Sequence, residues 1–235
     1  MNNAAAQTHA EQHSDLSEIV RDIIIGMSDG LTVPFAIAAG LASASASDAT
    51  IIIAAVLAEI AAGSISMGLG GFLAAKTEAD HYATERAREV MEVKTVPHVE
   101  EQEVIDALVK YGLRQTESAN VALSLKSRKK DWVDFMMRFE LGLEKPDQNR
   151  AVKSAGTIAG AYIAGGFIPL APYLLVSPVS LAFLYSIGVT IAALIVFGYL
   201  RGHFIGGKPW KSMFQTVLVG VIAASAAFLI AKLIP

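Results

Sequence analysis

Five stretches of this chain are each long and apolar enough to cross a bilayer, and that feature excludes most other architectures. A crossing helix needs roughly 20 mostly apolar residues. The stretches run from about Ile23 to Ala46, Ala49 to Ala75, Ala155 to Leu175, Pro178 to Leu200 and Met213 to Ile234. A long polar insert separates the second from the third. The chain therefore reads as an all-α membrane protein with five transmembrane helices. Residues 1–22 form a polar cytosolic tail, 23–76 hold spans one and two, 77–153 form a helical cytosolic domain, and 154–235 hold spans three to five. Only 17% of the 235 residues are charged, against about 25% in an ordinary soluble domain. The net charge of -3 speaks against a nucleic-acid partner. With no cysteine, disulfides and thiolate metal sites are excluded. The acidic start (Glu11, Asp15, Glu18, Asp22) is unlike that of a signal peptide.

Basic residues orient the spans, because cytosolic loops are enriched in Lys and Arg. Arg21 precedes span one, and none lies between spans one and two. From Lys76 to Lys153 the chain holds 14 of its 19 basic residues. The turn between spans three and four has none, whereas Arg201, Lys208 and Lys211 follow span four. The N-terminus and the insert are thus expected in the cytosol, with the C-terminus on the opposite side. Carboxylates are placed even more unevenly: none of the 22 follows Asp147. If a cation is moved, spans one and two must supply the acids.

Two acids lie within those spans. Asp29 sits in Gly26-Met-Ser-Asp-Gly30, and Glu59 lies near the middle of span two. A carboxylate at that depth costs on the order of 2.5–3.5 kcal/mol and marks a functional site by default. The plainer alternative is that each is protonated and bonds a neighbouring helix. Met67 lies eight residues after Glu59, about 80° from it around a helix, so the two share a broad face. Taken alone, Met67 also fits simple packing among Gly63, Ser64, Ser66, Gly68, Gly70 and Gly71. Pro34, just past Asp29, is expected to break span one and free carbonyls beside the acid.

In the insert, span two is expected to run on as a helix through Val93. A linker, Val93–Val99, leads to helices over about Val99–Tyr111 and Glu117–Ser127, and a last one starts at Asp131 as N-cap and ends near Gly142. Glu89 and Glu92 are three apart, as are Glu100 and Glu103, and Met136 and Met137 precede Glu140 by one turn. Such spacings share a helix face. Carboxylates repel each other there unless a cation sits between them. A solvated charged face, neutralised by Arg86, Arg88 and Lys94, fits the spacing too, and the Met pair fits a core. Oxygen donors suit Ca²⁺ or Mg²⁺, whereas an added thioether favours Fe²⁺ and its neighbours in the transition series. Glu78-x-x-His81 is half of a di-iron motif that lacks its second half. No phosphate loop, nucleophile elbow or zinc-protease motif occurs, so the chain does not read as an enzyme.

At these residues the chain resembles the vacuolar iron transporter family. The resemblance rests on Glu18-Ile-Val-Arg-Asp-Ile-Ile-Ile-Gly-Met-Ser-Asp-Gly-Leu-Thr-Val-Pro-Phe35, on Ala58-Glu-Ile-Ala-Ala-Gly-Ser-Ile-Ser-Met-Gly-Leu-Gly-Gly71 and on Asp134-Phe-Met-Met-Arg-Phe-Glu-Leu-Gly-Leu-Glu-Lys-Pro146. Gly165-Gly-Phe-Ile-Pro-Leu170 and Gly198-Tyr-Leu-Arg-Gly-His-Phe204 add to it. It implies a homodimer of five-span subunits that exports Fe²⁺ from the cytosol in exchange for protons. It also implies that the path lies between subunits and is lined by Asp29, Glu59 and Met67. The insert becomes a metal-binding domain with Glu89, Glu92, Glu100, Glu103, Met136, Met137 and Glu140 as its site.

No prosthetic group is implied. The metal is cargo, Fe²⁺ first, with Mn²⁺, Co²⁺, Ni²⁺ or Zn²⁺ as further candidates. Partners are these ions, protons, membrane lipid and a second copy. A vacuolar membrane is expected in a eukaryote and the plasma (inner) membrane in a bacterium. The competing readings are a manganese or broad divalent-cation exporter, a membrane-anchored metal sensor or buffer without flux, and a purely structural membrane protein.

Overall fold

The computed structural model describes residues 3–43 and 48–233, with side chains described from Glu18 onward. It contains eight helices among the described residues: α1 (Asn3–Ser43), α2 (Ala49–Thr95), α3 (Pro97–Lys110), α4 (Gln115–Lys126), α5 (Lys129–Phe139), α6 (Arg150–Leu175), α7 (Val179–Phe204) and α8 (Pro209–Leu233). No strand occurs among them. The expected ends of spans one and five, at Ala46 and Ile234, lie outside the described residues.

Five of the helices are long and apolar enough to cross a membrane, as the sequence led us to expect: Glu18–Ser43 within α1, then α2, α6, α7 and α8. The α2 helix has 47 residues and is therefore about 70 Å long, against a hydrocarbon layer of about 30 Å. Its apolar part, Ala49–Ala75, suffices to cross, and its charged part begins at Lys76. The chain divides into two compact units, one of Met1–Phe72 with Ala151–Pro235 and one of Leu73–Arg150.

In the first unit, glycines set the approach of the long helices. A Cβ on Gly26 would overlap the Ile158 carbonyl, and one on Gly30 the Tyr162 carbonyl, so α1 lies backbone-to-backbone on α6. On α2, a Cβ at Gly71 would come 2.5 Å from Ile158 Cδ1, and at Gly68 3.0 Å from the Ala155 carbonyl. On the other side, Gly198 and Gly202 of α7 let Met213 and Pro209 of α8 come equally close. Small residues take this role because lipid provides no hydrophobic drive between helices, leaving close packing to do it. Further along, Ala38, Ile52, Val56, Ile60, Leu170, Tyr173 and Ala182 form one buried cluster from α1, α2, α6 and α7. Ser186 Oγ donates to the Pro169 carbonyl at 2.8 Å, tying α7 to α6.

Contrary to expectation, Pro34 does not break span one: α1 is helical through it. Pro34 is buried, and its ring lies where Gly166 of α6 leaves room, 3.3 Å from the position of a Cβ there. Packing thus accommodates the ring, as neighbouring helices in membranes often do. The helix that holds span one starts well before it, at Asn3.

The second unit has its own core. Val93 of α2, Val104 of α3, Ala122 and Leu125 of α4, and Trp132, Val133, Met136 and Met137 of α5 are all buried together. The expected linker Val93–Val99 is far shorter: only Val96 separates α2 from α3. Pro97 explains this, because its fixed φ suits the first helical position. The residue before a proline is also pushed out of the helical region, and Val96 has φ -132° and ψ 46°. A Schellman motif ends α3. Gly112, at φ +94°, donates to Val109 at 2.9 Å while Leu113 donates to Leu108 at 3.3 Å. Asp131 is not an N-cap. The cap position of α5 is Arg128, and Asp131 sits in the first turn and pairs with it at 3.1 Å, which still places an acid at the positive end of the helix.

Candidate metal centre

The one-residue link at Val96 folds the last turns of α2 against the first turns of α3, and each carries a glutamate pair. Glu89, Glu92 and Glu100 are thereby brought together: one carboxylate oxygen of each lies within 4.8 Å of the others. Glu89 is 2% exposed and Glu100 3%. Oε2 of each is buried without a hydrogen-bond partner, although buried polar atoms nearly always have one. Three carboxylates at this separation, two of them out of water, repel one another unless protons or a cation offset their charge.

The charges confirm the crowding. Burial, then the neighbouring charges of Glu140 and Glu92, push Glu89 up to about 7. Burial, then Glu103 and Glu89, push Glu100 up to about 8. Both lie well beyond the apolar part of α2. Glu103 and Glu140 therefore sit within electrostatic reach of the buried pair. They also line one cavity of about 290 Å³ with Asp106, Ala107, Lys110, Tyr111 and Phe139. Five of the glutamates singled out in the sequence thus act on one another. Met136 and Met137 are fully buried, in the core they share with Val93 and Val104, the sequence neighbours of Glu92 and Glu103. Glu78 is exposed, and the nearest acid to His81 is Glu85, with Nδ1 4.0 Å from its Oε1. The half motif therefore stays apart from the cluster.

In the membrane unit, Asp29 lines a cavity of about 960 Å³ with Arg21, Ser28, Arg201 and surrounding Ile and Phe side chains. Glu59 accepts a hydrogen bond of 3.0 Å from the Tyr162 hydroxyl. Tyr162 is 2% exposed. It is fixed from two sides: Gly30 of α1 meets its backbone, and Gly63 of α2 leaves space for its hydroxyl. Asp29 is the residue before Gly30, so it lies beside the same close contact with Tyr162. The structure thus groups Asp29, Glu59 and Tyr162. Met67 is half-buried two turns further along α2, next to Gly68 and its contact with α6.

Tyr162 escaped the sequence reading, which weighed only acids and thioethers within the spans. A signal was there. A tyrosine in an apolar span needs an acceptor for its hydroxyl, and Glu59 is one of only two carboxylates between Ile23 and Ala75 apart from Asp48 at the turn.

Five apolar helices, two of them carrying an acid, and a buried glutamate cluster in a separate helical unit define a multi-span membrane protein. The sequence model of the VIT family matches residues 20–232. Vacuolar iron transporter 1 of Arabidopsis thaliana is 55% identical over 226 residues, covering 96% of this chain and 90% of that protein. Vacuolar iron transporter 2 of Oryza sativa subsp. japonica is 55% identical over 224 residues, covering 95% and 91%. Protein CCC1 of Saccharomyces cerevisiae is 38% identical over 224 residues, covering 92% of this chain and 69% of that protein. The chain belongs to the VIT family.

Proposed function

We propose that this protein is an iron transporter that moves Fe²⁺ out of the cytosol into a vacuole-like compartment in exchange for protons. The observation that carries the reading is the convergence of Glu89, Glu92 and Glu100, with two buried oxygens lacking any partner, in a chain 55% identical to a vacuolar iron transporter. In this reading the Leu73–Arg150 unit is the cytosolic collector, with Glu103, Glu140, Met136 and Met137 completing its site. Asp29, Glu59 and Met67 line the path, formed at the interface of a homodimer. Glu89 and Glu100 are held near neutral pH, so loading metal there displaces protons, as ligand deprotonation requires. Proton return on the far side would release metal from the path by the same competition. No step makes or breaks a covalent bond, so the protein is not an enzyme in this reading.

The test is Fe²⁺ flux into proteoliposomes with and without an imposed pH gradient. Uptake that rises with an acidic interior, accompanied by proton exit, supports exchange. Metal binding without flux overturns transport and leaves a sensor or buffer. If Asp29→Ala transports normally, the path is wrongly assigned.

One observation favours a second reading. The three converging donors are all oxygens, a set that suits Mn²⁺ as well as Fe²⁺. A manganese exporter would show Mn²⁺ flux unreduced by equimolar Fe²⁺, whereas a broader divalent exporter would carry both ions with each reducing the flux of the other.

A further inference from the structure

Five glutamates in one small volume need positive charge nearby if the unit is to stay folded between metal loads. The guanidinium of Arg88 is placed to give it. Its Nη2 lies 2.7 Å from Glu85 Oε2 and 4.0 Å from Glu89 Oε1, and its Nε lies 3.5 Å from Glu92 Oε2. One cation thus touches three carboxylates on one face of α2, two of which belong to the converging set. Lys110 lines the cavity of Glu103 and Glu140, while three further bases of this unit lie elsewhere. Arg86 pairs with Asp134 at 2.5 Å and Lys126 with Glu101 at 2.6 Å, while Lys94 lines a separate cavity with Lys129 and Lys130.

We propose that Arg88 is an internal competitor of the transported metal, holding the glutamates together when no metal is bound and yielding its place to a divalent cation. The inference rests on reading Glu89, Glu92 and Glu100 as metal-binding. Charge and distance carry it. A guanidinium nitrogen stops at hydrogen-bond distance, whereas a first-row divalent ion approaches carboxylate oxygens to roughly 2.0–2.2 Å. The ion brings two charges closer than Arg88 brings one, so it wins. A monovalent ion only replaces one unit charge with another and gains nothing. Arg88 therefore favours divalent over monovalent ions and keeps metal affinity low enough for release. Its side chain is 48% exposed, so it swings into water with little loss, as exposed ion pairs allow.

The test uses the full-length chain in detergent and Mn²⁺ as an air-stable probe. Arg88→Gln is expected to tighten Mn²⁺ binding about tenfold and slow its dissociation, with Arg88→Lys returning affinity close to the starting value. Added KCl should weaken Mn²⁺ binding more in Arg88→Gln than in the parent. Metal-free Arg88→Gln should melt lower than the parent, with saturating Mn²⁺ erasing the difference. A variant that stays folded and binds Mn²⁺ no tighter than the parent overturns the proposal. So does a loss of melting temperature that Mn²⁺ leaves in place, which marks Arg88 as purely structural. Tight binding by the parent that Glu100→Gln abolishes and Arg88→Gln leaves unchanged removes the Arg88 inference alone. No Mn²⁺ binding by the parent removes the metal centre and this inference together.

Discussion

The Tyr162 hydroxyl donates to Glu59 Oε1 across 3.0 Å, joining α6 to α2 inside the apolar part of the protein. A hydrogen bond of this kind contributes about 0.5–1.5 kcal/mol net, and here it fixes where the carboxyl group points. Tyr162→Phe keeps the ring and removes only that donor. Fe²⁺ flux in proteoliposomes should fall several-fold while the protein still folds and reconstitutes. Unchanged flux would mean that the bond is structural only.

A buried acid that is costly to ionise weakens the fold to which it belongs. Glu100→Gln should therefore raise the metal-free melting temperature at about pH 8, by roughly 2–4 °C for each kcal/mol relieved. The same change should weaken Mn²⁺ binding by about tenfold or more, because an oxygen donor loses its charge. Gain of stability together with loss of binding would identify a functional acid; loss of both would identify a structural one.

The pH dependence has a definite sign. Glu89 and Glu100 are raised to about 7 and about 8, so the folded chain binds more protons than the unfolded one. Their contribution to metal-free stability is present at acid pH and is lost as pH rises through those values. Melting temperature in a chelator should fall across this window. With Mn²⁺ present the fall should vanish, because bound metal favours the ionised carboxylates.

Two glycines on α2 give a matched pair of substitutions. A Cβ on Gly63 would collide with the Tyr162 hydroxyl, whereas Gly70 has nothing within 4 Å. Gly63→Ala should destabilise by about 1–3 kcal/mol and disturb the Glu59 contact. Gly70→Ala should be neutral or stabilising by about 0.5–1 kcal/mol, since alanine favours helix. Melting curves of the two variants side by side check this, and equal behaviour would contradict the packing described.

Much of this was legible because its physics is local. Twenty apolar residues in a row declare a span without help from tertiary structure, and helical spacing alone pairs Glu89 with Glu92 and Glu100 with Glu103. Other features depend on what a residue meets across the fold. Pro34 stays in its helix because Gly166 stands opposite, and no local rule contains that fact. Tyr162 matters through a residue 103 positions away. Met136 and Met137 look like soft ligands in sequence, and their full burial beside Val93 and Val104 is visible only in the fold. Asp131 has the right chemistry for a cap but sits in the first turn. For Pro34 and Tyr162 a partner distant in sequence decided the outcome.

The link at Val96 makes the acidic cluster unusually intolerant of changes in chain length. One residue inserted there would turn α3 by about 100° relative to α2, carrying Glu100 away from Glu89 and Glu92. Val104, on the same helix, would leave the core in the same movement. An insertion about four turns later, beyond Gly112, would spare Glu89, Glu92 and Glu100. Members of this family should therefore vary in length after α3 and keep a fixed count between Glu92 and Glu100.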